Sequence, residues 1–224
     1  MDTKLGGASK DRIAEIHSRL RRGYGPLNSP RRLEPLDELI LTVLSQNTSD
    51  VNRDRAWVSL RTRFPSWDAL AGARLRDVGR AIRVGGLANT KAPRILAILR
   101  EIRTREGSFD LSWMHEASNG EIRDYLTSLP GVGPKTAACV LAFSLGRPAL
   151  PVDTHVHRVA TRLGLLPAKT NAVKAHDMLE ALVPPRLRLP MHVGLIRLGR
   201  EVCKAGRPHC EECVLNDICP SSLV

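Results

Sequence analysis

The chain has 224 residues, 42% hydrophobic and 25% charged, an ordinary globular balance with ample length to bury a core. Lys and Arg outnumber Asp and Glu by 34 to 23, a formal net charge of +11, and the pI is about 10.1. That excess points to a polyanionic partner, nucleic acid first and an anionic membrane surface second. No run approaches 18 apolar residues, which excludes a membrane-spanning helix.

The first stretch, MDTKLGGASKDRIAEIHSRL, has no apolar region of a secretory signal, so a cytoplasmic protein is expected, nucleoid-associated in a bacterium. In that compartment five cysteines stay reduced and favour metal binding or catalysis over disulfides. A short N-terminal helix gives way to RRGYGPLNSPRRLEP, 21–35, where Gly and Pro recur too closely for a helix. Leu39, Ile40, Val43 and Leu44 then share one helical face. Asp50 reads as the start signal of VNRDRAWVSL, and Ser66 as that of WDAL. Pro93 marks the opening of PRILAILREI, whose Ile95, Ile98, Leu99 and Ile102 again fall on one face. A second connector, GRPALPVDTH, spans 146–155. Strand-like alternation is almost absent and aromatics are only 4%, so the chain is read as all-α. It divides into an N-terminal helix, a central bundle of about six helices and a C-terminal helical part ending in cysteines.

The segment LPGVGPKTAACV, 129–140, carries more than packing. Glu121 to Ser128 predict a helix with Ile122, Tyr125, Leu126 and Leu129 on one side. A tight turn, Pro130-Gly131-Val132-Gly133, follows, and Pro134 suits the first position of a second helix. Gly131 and Gly133 admit backbone angles closed to other residues and let the main chain approach a ligand. Val132 is expected to plug the groove between the two helices. The N–H groups opening the second helix form an anion site, so the module reads as a helix-hairpin-helix gripping a DNA phosphate without reading a base. Lys135 sits where the helix dipole disfavours a cation, by about 0.3–1 kcal/mol. It reads either as a plain phosphate partner or as a nucleophile, since dipole and desolvation both favour the neutral amine that attacks carbon.

Asp153, in Val152-Asp153-Thr154-His155, reads first as a helix N-cap. It lies 18 residues past Lys135. A chain returning along the second hairpin helix would bring its carboxylate to that helix's start, where it could stabilise positive charge on a ribose ring or help deprotonate an amine. Cys203, Cys210, Cys213 and Cys219 form C-x6-C-x2-C-x5-C, a four-thiolate metal site. Spacing alone leaves zinc and an iron–sulfur cluster close. Lys204, Arg207 and His209 fall inside the first cysteine loop, placed to meet a DNA backbone. Cys139 is left over and reads as a core residue.

LPGVGPKTA, VDTH and the cysteine tail, in this order, resemble the endonuclease III family of DNA glycosylases, over nearly the whole chain from about Asp37 to Cys219. The resemblance implies a six-helix barrel domain containing the hairpin, 28–147, beside a [4Fe–4S] cluster domain built from both chain ends, 1–27 and 148–224. It implies a monomer that binds double-stranded DNA containing damaged bases or abasic sites, with no membrane partner. Lys135 matches the lysine that attacks C1′ and forms a Schiff base before β-elimination, and Asp153 the catalytic aspartate. The implied substrates are oxidised pyrimidines of the thymine glycol type. Leu87 of GLANTK matches a leucine that wedges into the duplex, followed here by Ala88 where the family often has Tyr. In LSQNTSD, Asn47 stands at the position of the gap-filling Gln, with Gln46 before it. The rival readings are a catalytically silent DNA-binding module and a monofunctional mismatch glycosylase, and the lysine–aspartate pair separates the first reading from both.

Overall fold

The computed structural model describes residues 10–28 and 32–224. Residues 1–9, where the N-terminal stretch was read for a signal, and 29–31, inside the 21–35 connector, lie outside the described residues. Eleven α-helices and no strand occur among the described residues, as the all-α reading expected. The chain separates into two compact units, 32–146 and 1–31 with 147–224.

The 32–146 unit is organised by α2 (Pro35–Ser45), which buries nine of its eleven residues. Leu39, Ile40, Val43 and Leu44 are fully buried there, each contributing roughly 1.5–3 kcal/mol. Against it pack α3 (Asp50–Arg63), α6 (Ala88–Glu106) and α8 (Pro134–Cys139), with α4 (Trp67–Ala71), α5 (Leu75–Ala81) and α7 (Asn119–Thr127) completing the unit. Two start signals differ from expectation. Ser49, not Asp50, caps α3 by accepting from the Asn52 N–H, because its hydroxyl reaches one turn ahead; Asp50 is already helical and pairs with Arg53. Helix α6 begins five residues before Pro93, so the proline sits inside it. The missing donor is tolerated because Ile95, Ile98, Leu99 and Ile102 anchor the face that follows. Ser66 caps α4 as read from the sequence.

In the other unit the chain's start and end share one core. Ile13, Ile16 and Leu20 of α1 (Lys10–Tyr24) pack in one cluster with Val156 and Val159 of α9 (Thr154–Arg162), Leu179 of α10 (Ala172–Leu182) and Leu195 and Leu198 of α11 (Arg188–Glu201). Helix α1 runs through Arg21–Tyr24, further than the glycines suggested. Gly199 lets α11 pass close to α9, since a Cβ there would meet the His155 Cβ at 3.0 Å.

Candidate active site and metal centre

The hairpin is built from its caps upward. Ser118 and Glu121 form a capping box that starts α7. Ile122, Leu126 and Leu129 are buried and hold its exit. Gly131 takes a φ of 72°, which only glycine adopts freely. Val132 is 6% exposed, the plug the sequence expected. Gly133 differs: its φ of −105° is ordinary extended backbone, and it is the N-cap of α8 with Pro134 at the first helical position. A Cβ on Gly133 would meet nothing within 4 Å, so bare backbone faces open space there.

Lys135 is half-buried in the first turn of α8. One turn on lies the buried thiol of Cys139. The Thr42 hydroxyl donates to Glu38 Oε1 at 3.0 Å, and both residues are buried on α2. Burial pushes the Cys139 thiol up, with the Lys135 ammonium acting against it and Glu38 adding to it. Cys139 is thus in the core, as expected. Beyond it the helix widens into a π turn, Val140–Ser144.

Two loops of the same unit carry the other singled-out residues. Asn47 (φ 51°) and Leu87 (φ 49°) are the non-glycine residues with positive φ among the described residues. Leu87 is 52% exposed, an apolar side chain on strained backbone. Buried Lys91 ties the loops together, donating to the carbonyls of Leu44 at 2.7 Å and Gly85 at 2.8 Å; burial pushes its ammonium down. Arg94 donates to Gln46 Oε1 at 2.6 Å and crosses the face of Gly131, where a Cβ would collide with its guanidine Nε. A groove lined by Arg76, Arg80, Arg83 and Asn89 opens beside Leu87. Leu87→Gly should raise thermal stability or leave it unchanged, since relief of left-handed strain is worth up to about 1–3 kcal/mol. Calorimetry reads the effect.

Asp153 and the cysteines belong to the other unit. Asp153 is the N-cap of α9, its Oδ1 accepting from the Val156 N–H at 2.8 Å, while Oδ2 has no hydrogen-bond partner among the described residues. The strand of chain before it is pinned: His192 Nδ1 hydrogen-bonds the Pro151 carbonyl at 2.7 Å, and Glu180 Oε1 accepts from the Leu150 N–H at 3.0 Å.

Cys203, Cys210, Cys213 and Cys219 line one small cavity together with Arg162 and His209. Arg158 donates to the Cys203 and Gly199 carbonyls, and Arg162 to the Cys203 sulfur at 3.2 Å and the Lys204 carbonyl at 2.7 Å. From α1, Arg12 reaches the Ile218 carbonyl and Arg19 pairs with Asp217. Among the described residues no three of these thiols come within 4.8 Å of one another. A single tetrahedral zinc draws its four sulfurs to about 3.8 Å apart at Zn–S of ~2.3 Å, so the set fits a larger cluster better than one ion. Burial pushes the Cys213 and Cys219 thiols up, so these thiolates need bound metal to form readily. Lys204, Arg207 and His209 are all exposed on the first cysteine loop; the Lys204 ammonium turns back to the Arg200 carbonyl.

Sequence reasoning missed Glu38, Thr42, Lys91, Arg94, Arg158 and Arg162. A signal existed for the first two: polar residues four apart inside the apolar run of α2, where an isolated polar group needs a partner.

A family model described as HhH-GPD superfamily base excision DNA repair protein matches residues 40–185, and one described as the iron-sulfur binding domain of endonuclease III matches 203–219. Endonuclease III of Thermotoga maritima is 36% identical over 84% of both chains, and that of Escherichia coli K12 is 32% identical over 94% of this chain and 96% of its own. A longer relative from Arabidopsis thaliana, named as a DNA glycosylase, is 37% identical over 78% of this chain, which spans 59% of that protein. A trapped covalent endonuclease III–DNA intermediate superposes with a TM-score of 0.81 at 26% identity, covering 96% of this chain and 97% of its own. With the hairpin and the four-cysteine centre, these matches define a helix-hairpin-helix base excision repair enzyme. The chain belongs to the endonuclease III family. It is a DNA glycosylase and AP lyase with a [4Fe–4S] cluster.

Proposed function

We propose that the protein removes oxidised pyrimidines of the thymine glycol type from duplex DNA and nicks the resulting abasic site by β-elimination. Lys135 is the nucleophile. Its amine attacks C1′, displaces the base and forms the Schiff base from which the 3′ phosphate leaves. Asp153 supplies the carboxylate that stabilises charge developing on the ribose, through the oxygen its helix cap leaves uncommitted. Gly131, Val132 and Gly133 hold one strand's phosphate, and the exposed Lys204, Arg207 and His209 meet the backbone from the cysteine loop. Leu87, Gln46 and Asn47 act where the flipped base leaves the stack, an opening that costs a few kcal/mol.

The observation that carries this reading is Lys135 itself: a half-buried residue in the first turn of α8, directly behind a bare glycine backbone. The strain at Leu87 supports the duplex-opening role, because left-handed backbone in a bulky residue persists where function holds it. The test is borohydride trapping on a duplex carrying thymine glycol. A covalent adduct is expected; base release without an adduct would leave a monofunctional glycosylase instead. Affinity for that duplex should fall with salt, by a slope of about −0.9 in log K against log[salt] for each phosphate held.

A further inference from the structure

Two amides stand side by side in LSQNTSD, and the structure gives them different settings. Asn47 is exposed on left-handed backbone, and its side chain makes no hydrogen bond among the described residues. Gln46 is half-buried at the end of α2, and its Oε1 accepts from the Nη1 of Arg94 at 2.6 Å. A guanidinium only donates, so this contact fixes the amide: the carbonyl oxygen faces Arg94 and the NH2 faces away. That NH2 has no partner among the described residues and is not one of their buried orphan groups, so it is open to solvent. The guanidinium is itself held from two sides. Its Nε and Cδ occupy the space that a Cβ on Gly131 would need, while Gln46 takes its tip. No carboxylate pairs with Arg94 among the described residues. Its charge therefore acts on the amide directly, and a charge-assisted bond polarises the outward NH2 into a stronger donor.

We propose that Arg94 is the positioning residue for Gln46, holding its amide as a one-sided donor toward the base left opposite the flipped nucleotide. The proposal rests on Gln46 acting where the flipped base leaves the stack. A side-chain amide free to turn can pair with adenine through a donor and an acceptor together. The anchored amide has committed its acceptor to Arg94, and only its donors remain. Every base carries an acceptor on its exposed edges: N1 of adenine, O6 of guanine, O4 of thymine, N3 of cytosine. The contact therefore requires that a base be present without selecting which one. Gly131 belongs to the same arrangement, since any side chain there would displace the guanidinium. Arg94 acts through Gln46, and Gln46 alone of the two meets the base.

The test measures affinity for duplexes carrying a tetrahydrofuran abasic analogue, which an amine cannot attack, placed opposite each of the four bases and opposite a second analogue. The readout is the affinity with a base opposite divided by the affinity with none. In the unaltered protein this ratio should be similar for all four bases. Arg94→Met should lower it about fivefold, the size of one hydrogen bond, and Arg94→Lys, which still donates, should keep most of it. Gln46→Glu keeps an acceptor for Arg94 but has no donor to turn outward, so it should lower the ratio as far as Gln46→Met does. A packing defect would weaken both affinities and leave their ratio unchanged. A full ratio in Arg94→Met or in Gln46→Glu would overturn the proposal, as would a strong preference for adenine in the unaltered protein. A full ratio in Gln46→Met would remove Gln46 from the opened duplex, and the positioning role would fall with it.

Discussion

Lys135→Gln is expected to abolish covalent trapping and strand cleavage at abasic sites while leaving duplex binding nearly intact. Deleting a covalent nucleophile costs on the order of 10⁶ in rate in well-studied hydrolases, so activity should fall below detection in a routine assay. Binding should survive because the proposed phosphate grip uses the Gly131–Gly133 backbone, and Val132 stays plugged whatever the lysine becomes. The fold should survive too, since Lys135 is half-buried and Thr136, Ala137 and Ala138 provide the packing of α8. A band-shift titration beside the cleavage assay separates the two quantities. A variant that still cleaves would transfer the chemistry to another amine.

Asp153→Asn is the second large effect. Asn and Asp are nearly equal as N-caps, so α9 should keep its start and the protein its melting temperature. Loss of the charge alone should slow base excision by about 10²–10⁴-fold, the range of a group that stabilises charge in the transition state or moves a proton. Single-turnover excision and thermal melting together read the outcome. If excision is unchanged, the aspartate is only a cap. If the melting temperature collapses with the rate, the effect is structural.

The parts of the site legible in the sequence are those written in contiguous residues. LPGVGPKTA shows its turn, its plug and its lysine because each acts on its immediate neighbours. The cysteine tail shows a metal site for the same reason, although spacing did not choose between zinc and a cluster. The openness of the four thiols favours the cluster, and the family matches identify it. Long-range contacts were not legible: Arg94 reaches the Gln46 side chain across 48 positions of sequence. Lys91 likewise reaches the Leu44 carbonyl 47 residues away, and nothing local in GLANTK announces it. Local rules also failed where two residues competed. Ser49 and Asp50 are both good caps, and the hydroxyl that could reach Asn52 won. Pro93 looked like a helix start, but the buried isoleucines after it extend the helix through it. Gly133 was expected to need glycine's freedom of φ; its angle is ordinary, and what distinguishes it is the open space a ligand's backbone can approach.

The two loops show how strain and support go together. Leu87 and Asn47 hold left-handed backbone that would relax if unsupported. Lys91 and Arg94 supply the support from α6: one is bonded to the carbonyls that lead into both loops, the other to Gln46 beside the hairpin. Loop geometry and hairpin geometry in this unit are therefore set by the same helix.

In the proposed reaction the amine of Lys135 bonds to the DNA. The direct measurement is to trap the protein on an abasic-site duplex with borohydride, digest the adduct and locate the modified residue by mass spectrometry. A reduced sugar adduct on Lys135, in the peptide spanning the hairpin, is expected. An adduct on any other amine, or no adduct while the strand is still cut, would contradict it.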